Sequence, residues 1–306
     1  MGAQLRVYRR RIRSTKSMAK ITRAMELIAT TRITKAQRVM QAAEPYAREI
    51  TRSVSALAQQ VKDHPLLTES ENPTRAAVLV ITSDKGLAGA FTANAIKESE
   101  RLNALLGNQG KEVLQYVVGR KGIAYNQFRQ RPMERTWEGI TERPTYLDAK
   151  EIATDLMDRF TKDSRTEDGV DEIHIVSTHF VSMLTQNAGS HRALPLEVEE
   201  VEPKVLEAEQ GGPMPLYDFE PSAKEALDQL LPQYVANRIY FALLESAASQ
   251  QASRRNAMKA ATDNAEELVQ NLTRQANQAR QAEITNEISE IVGGADALAG
   301  ASAGSE

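Results

Sequence analysis

From Pro221 to Val292 the chain holds no glycine, and its only internal proline is Pro232. A helix over that stretch would be roughly 105 Å long at 1.5 Å per residue. The mean globular helix has only about 11–12 residues. Such a helix cannot stay inside a domain of ordinary size, so it must project and lie against something. Its apolar residues form a narrow stripe: Ala226, Leu230, Ile239, Leu243, Ala247, Met258, Ala261, Ala265, Leu268, Leu272 and Ala276 recur near three- and four-residue steps. Charged residues such as Arg255, Lys259, Asp263, Glu266 and Arg274 fill the remaining faces. A narrow, alanine-rich stripe suits a thin helix pair whose axes approach closely.

A second long helix is expected over residues 3–62, interrupted only by Pro45, which should kink it. Met18, Ile21, Met25 and Ile28 step by three, four and three and read as its heptad seam. Residues 1–60 carry thirteen basic side chains against three acidic ones, a net of +10 by count. That imbalance calls for an anionic neighbour: nucleic acid, an anionic membrane or acidic protein loops.

Between the helices the pattern changes. Ala76–Ser83 (AAVLVITS) is a continuous apolar, β-branched run, as expected of a strand buried on both faces. Glu112–Gly119 and Glu172–Phe180 read as further strands, and Ala193–Val201 alternates like an edge strand. Helices are expected after the first strand through about Leu106, over Lys121–Arg129, and over Leu147–Lys162 with Asp148 as N-cap. Strands alternating with helices define an α/β domain with a largely parallel sheet. Residues 197–220 hold eight acids and one lysine with Gly211-Gly212-Pro213, and read as a loop. The expected layout is therefore a helix over 1–62, a Rossmann-like α/β domain over 75–220, a helix over 221–292 and a flexible tail over 293–306. The two long helices would pair as an antiparallel coiled coil rising from the inserted domain.

Catalytic signals are absent. There is no GxxxxGK[ST], no GxSxG and no cysteine, which excludes disulfides and thiolate chemistry. Gly86–Ala90 (GLAGA) opens a helix after the first strand but is not GxGxxG, and glycine there serves a tight turn. The four histidines lack metal-ligand spacing. Glu283, Glu287 and Glu290 make a charged helix face rather than an acid/base pair. No run of 18 apolar residues spans a bilayer, and the basic N-terminus lacks the apolar core of a secretory signal. No catalytic residue, cofactor or metal is expected.

Ile284–Ala297 (ITNEISEIVGGADA) resembles the signature of the γ subunit of F-type ATP synthases, Ile/Val-Thr-x-Glu-x-x-Asp/Glu followed by Gly-Ala and small residues. Ser253–Leu268 (SRRNAMKAATDNAEEL) and Lys20–Gln37 (KITRAMELIATTRITKAQ) are similar to two further blocks of that family. Ser83–Phe91 (SDKGLAGAF) is similar to a fourth, with Ala88 where Cys or Ser is common. The resemblance covers nearly the whole chain. It implies a non-catalytic rotor, one copy per complex, peripheral on the cytoplasmic face of the cell membrane. Its partners would be the α and β subunits of an α3β3 hexamer, the ε subunit and the c-ring. It also implies that Lys20, Arg23 and Met25 lie in a coupling block, and that Arg254, Arg280, Gln281, Thr285 and Glu287 contact β or the opposing helix. Tyr217, Phe219 and Glu220 would form the foot on the c-ring. The competing readings are a nucleic-acid-binding coiled coil using the basic helix on phosphates, and a small-molecule enzyme built on the α/β domain.

Overall fold

A computed structural model of the chain describes residues 2–61, 67–164, 168–196, 220 and 222–303. Its elements run α1 (Gly2–Gln60), β1 (Arg75–Ile81), α2 (Phe91–Asn108), β2 (Glu112–Val118), α3 (Arg120–Phe128), β3 (Arg135–Trp137), α4 (Tyr146–Phe160), β4 (Glu172–Phe180), β5 (Gln186–Leu194) and α5 (Ala223–Ala303). The class is mixed α/β, with a parallel-dominated sheet and two very long terminal helices. Two compact units are distinguished: Met1–Ile28 with Asn256–Glu306, and Ala29–Arg255.

In the larger unit the strand order is β3-β2-β1-β4-β5. β1 pairs in parallel with β2 and with β4, placing Leu79 between Tyr116 and Ile175. β3 is parallel to β2, and β5 is antiparallel to β4. β1 is apolar from Ala76 to Ile81, as suits a strand covered on both faces. Ala77, Leu79 and Ile81 join a core with Ile50, Val54 and Leu57 of α1, Ile152 and Leu156 of α4, and Leu231, Ile239 and Leu243 of α5. Ala76, Val78 and Val80 face the other way onto Leu102 and Leu106 of α2.

Three local readings need correction. The edge strand is Gln186–Leu194 rather than Ala193–Val201, of which 197–201 lies outside the described residues. A turn sets its start: Ser182 N–H donates to Thr185 O at 3.0 Å, and Thr185 N–H donates to Ser182 Oγ at 3.1 Å. The N-cap of α4 is Thr145, and Asp148 is the third helical residue, the reciprocal member of a capping box. The short strand β3 was not anticipated; it lies in a polar stretch and is held where Trp137 stacks on Tyr116, centroids 6.3 Å apart. Neither Pro45 nor Pro232 interrupts its helix, and α5 continues through Gly293 and Gly294 to Ala303 on an alanine-rich run.

The smaller unit pairs the start of α1 with the end of α5. Its fixed point is a buried hydroxyl pair, Thr22 Oγ1 and Thr262 Oγ1, 2.7 Å apart. On α1 the shielded row is Leu5, Tyr8, Ile12, Thr15, Ala19, Thr22 and Glu26, with Met25 half-buried beside it. On α5 the facing row is Met258, Thr262, Ala265, Val269, Leu272, Ala276 and Ala279, continued by Glu283 and flanked by Ala261 and Asn271. The antiparallel register that joins Thr22 to Thr262 matches these sets one to one, Ala19 with Ala265, Ile12 with Leu272 and Leu5 with Ala279. Both rows step by alternating three and four residues, the spacing of a coiled-coil seam.

The seam therefore differs from the one expected on α1. Met18, Ile21 and Ile28 are exposed at 54, 53 and 53 %, and Met25 is half-buried. Both rows have heptad spacing, so periodicity alone does not separate them. Close approach favours the row with alanine and threonine at its centre, because larger side chains there would push the axes apart. Leu268 of α5 likewise turns outward.

One of the two hydroxyls donates across the seam and the other to its own helix, Thr22 Oγ1 lying 3.1 Å from Ala19 O and Thr262 Oγ1 2.9 Å from Met258 O. Thr22→Val or Thr262→Val alone is expected to cost about 1 kcal/mol in urea unfolding, since a polar group then loses its cross-helix partner in an apolar seam. The double variant is expected to cost less than the sum of the two.

Candidate functional site

The loop after β1 is tied to its surroundings by several side-chain hydrogen bonds and ion pairs. Asp84 stands at the carboxyl end of that strand. Its Oδ1 accepts from Gly139 N–H at 2.9 Å and Arg120 N–H at 3.2 Å. Its Oδ2 accepts from Thr141 N–H at 3.0 Å and Thr141 Oγ1 at 2.8 Å. Burial pushes the Asp84 carboxyl up, but these donors outweigh it and hold the group below the ordinary aspartate range. The loop after β3 is thereby tied to the loop after β1.

Glu142 follows on that tied loop. Its Oε2 meets Lys85 Nζ at 2.7 Å and Arg32 Nη1 of α1 at 2.8 Å, and its Oε1 meets Arg254 Nη1 of α5 at 3.2 Å. One carboxylate thus holds three cations from three elements. Burial raises Glu142, but the Lys85 hydrogen bond and the charges of Arg254 and Arg32 win and lower it. Arg254 is itself buried at 6 % exposure. It donates to Gln251 Oε1 at 2.9 Å and to the carbonyls of Lys85 and Gly86 at 3.4 Å each. The carbonyls of the glycine-rich turn thus point at a guanidinium, so part of the turn presents acceptors where a phosphate cradle would need donors. Leu87 in this turn has φ 60° and is 61 % exposed. Among the described residues no group of acidic or histidine side chains could hold a metal.

The residues singled out from sequence fall in different surroundings. Lys20 and Arg23 are exposed on α1 beside the half-buried Met25. Arg280, Gln281, Thr285 and Glu287 are exposed near the end of α5, whereas Arg254 is buried among groups of its own chain. Glu220 is exposed; Tyr217 and Phe219 lie outside the described residues. Lys85, Glu142 and Arg32 were not anticipated as partners. Only the turn itself carried a sequence signal, and charges so far apart in the chain leave no periodic trace.

The last turns of α5 are a second site. The shielded row ends at Glu283, and every residue from Ile284 to Ala295 is exposed. In the register of the helix pair Gly2 falls opposite Ala282. The helix from 284 to 303 therefore extends about 30 Å past that point. It carries Ile284, Ile288, Ile291 and Val292, and none of them is covered. Among the described residues no helix is long and apolar enough to cross a membrane.

The sequence profile described as ATP synthase matches residues 4–298. The ATP synthase gamma chain of Thermobifida fusca is 78 % identical over 306 residues, all of both chains. That of Acidothermus cellulolyticus is 60 % identical, over 97 % of this chain and 98 % of the relative. Among solved structures, a chain of the Euglena gracilis mitochondrial ATP synthase, in a structure described as OSCP/F1/c-ring, superposes with a TM-score of 0.67 at 16 % identity, covering 99 % of this chain and 97 % of that one. A chain of the Tetrahymena thermophila mitochondrial enzyme, from a structure of its central stalk and c-ring, gives 0.58 at 24 % identity over 79 % of this chain and 99 % of that one. The chain belongs to the ATP synthase gamma chain family.

Glu142→Gln is expected to destabilise the chain by about 3 kcal/mol, near the low end for breaking a buried ion pair, because Lys85 and Arg32 are partly screened by water. Because its folded pKa is depressed, Glu142 contributes stability that is present above the unfolded carboxylate range and is lost as pH falls through the folded pKa. Urea midpoints measured across the acid limb should therefore fall less steeply in Glu142→Gln than in the wild type.

Proposed function

We propose that the chain is the central rotor shaft of an F-type ATP synthase, turning proton flow through a c-ring into conformational change at β-subunit nucleotide sites. The observation that carries this reading is the end of α5. A helix that shows four large aliphatic side chains to solvent over Ile284–Ala295 is built to be covered by something other than its own chain. The family signature falls on this stretch. The α3β3 hexamer supplies the sleeve, and the ε subunit and c-ring hold the opposite end. On this reading the chain is non-catalytic and ATP chemistry belongs to β.

The coupling contacts on this reading are Lys20, Arg23 and Met25 on α1 and Arg280, Gln281, Thr285 and Glu287 on α5. Arg254 acts from within, through Glu142 and the turn at Lys85 and Gly86. Tyr217, Phe219 and Glu220 form the c-ring foot. The working division is a helix over 1–62, a Rossmann-like domain over 75–220, a helix over 221–292 and a tail over 293–306, whose first part continues the helix to Ala303. The complex sits on the cytoplasmic face of the cell membrane with this chain peripheral to it, one copy per complex. The nucleic-acid reading is not favoured. The basic residues of α1 lie on several faces, and part of the charge is spent within the chain, on Glu142 by Arg32 and on Glu44 by Arg48 at 2.9 Å.

Gln281→Ala and Thr285→Ala test the reading. Both side chains are exposed, so thermal melting of the isolated chain should not move, while ATP synthesis by the reconstituted complex should fall several-fold. Unchanged synthesis in both variants, or a tagged chain that purifies from gently solubilised membranes without ATPase subunits, overturns the assignment.

A further inference from the structure

Between the β4–β5 hairpin, α5 and the second half of α1 lies a cavity of about 470 Å³, within the size range of small-ligand sites. Its floor is polar. Asn237 is 3 % and Ser177 8 % exposed, and neither side chain has a hydrogen-bond partner among the described residues. Both line the cavity, so a ligand seated in it is placed to complete their bonding.

The strand register explains why the space exists. Ser177 is directly opposite Gly189, and His191 follows on the same face of β5. A Cβ built at Gly189 meets nothing within 4 Å, so the missing side chain is part of the cavity. The charge is one-sided. Arg238 lines the cavity without an ion-pair partner among the described residues, and the acid there, Glu245, is engaged by His179 Nδ1 at 2.7 Å. Burial, with the positive charges of Arg238 and His174, pushes His191 down to about 4, so its ring is neutral at pH 7 and offers a single N–H.

We propose that this cavity is a binding site for a phosphoryl oxyanion, carried either by orthophosphate or by the terminal phosphate of a nucleotide. Arg238 supplies the fork that matches a phosphate edge. The Asn237 amide, the Ser177 hydroxyl and the His191 N–H supply neutral donors to the remaining oxygens. The volume exceeds one phosphate group, leaving room for the body of an ester or for water. The inference rests on this cavity alone and stands whether or not the chain is a rotor.

Isothermal titration of the full chain with orthophosphate and, separately, with ADP tests it, since the chain alone carries no β-subunit nucleotide site. Saturable one-to-one binding of either ligand is expected. Arg238→Gln, an exposed position, should weaken it about tenfold, the loss of one charge-assisted hydrogen bond, with no shift in melting temperature. Gly189→Leu should abolish it by filling the floor. Binding of orthophosphate alone assigns the site to the free ion, and binding of ADP alone assigns it to nucleotide. The absence of saturable heat with both ligands, or wild-type affinity in Arg238→Gln, overturns the proposal. Should Gly189→Leu fail to fold, Arg238→Gln decides.

Discussion

One carboxylate joins the parts of the larger unit. Glu142 takes Arg32 from α1, Arg254 from α5 and Lys85 from the turn after β1, and it can do so only because Asp84 has already tied its loop in place. Apolar packing alone would leave the helices free to slide along the sheet, since the hydrophobic effect has no preferred direction. Short charged contacts do have one. The arrangement therefore adds little net stability for its desolvation cost and contributes chiefly geometry.

Much of the architecture was legible in the sequence, for identifiable reasons. The 221–292 stretch read as a single helix because it lacks glycine, and β1 read as a central strand because it is apolar on both faces. The seam of α1 was misread because two parallel rows share heptad spacing, and hydrophobicity favours the wrong one. Met18, Ile21 and Ile28 look like a core and are not; Thr15, Ala19 and Thr22 look like a surface and are shielded. What discriminates them is the partner helix, whose Thr262 and Ala265 require a close neighbour. β3 escaped notice because three residues in a polar stretch have no period to detect.

The proposed contact residues and the ion-pair residues divide along the same line. Gln281, Thr285 and Glu287 are singled out by a resemblance whose residues stay close together in the chain. Glu142 and its three cations are assembled from four separate segments, so no local pattern announces them. At the carboxyl end of β1, where doubly wound sheets commonly place a ligand, one side is taken up by the protein's own ion pairs and a cavity of about 530 Å³ opens beside Gly86 and Gly89. A further open cavity lies on the β4–β5 side, and it owes its space to a glycine rather than to a motif.

The alanine and threonine seam has a mechanical corollary. A rod resists twisting as a steep power of its radius, and small seam residues bring the two helix axes together. The paired stretch is therefore compliant in torsion compared with a leucine-filled coil of equal length. Load applied at one end would be taken up first as a slight winding of the pair and released afterwards, so a stepwise drive at one end would reach the other smoothed in time.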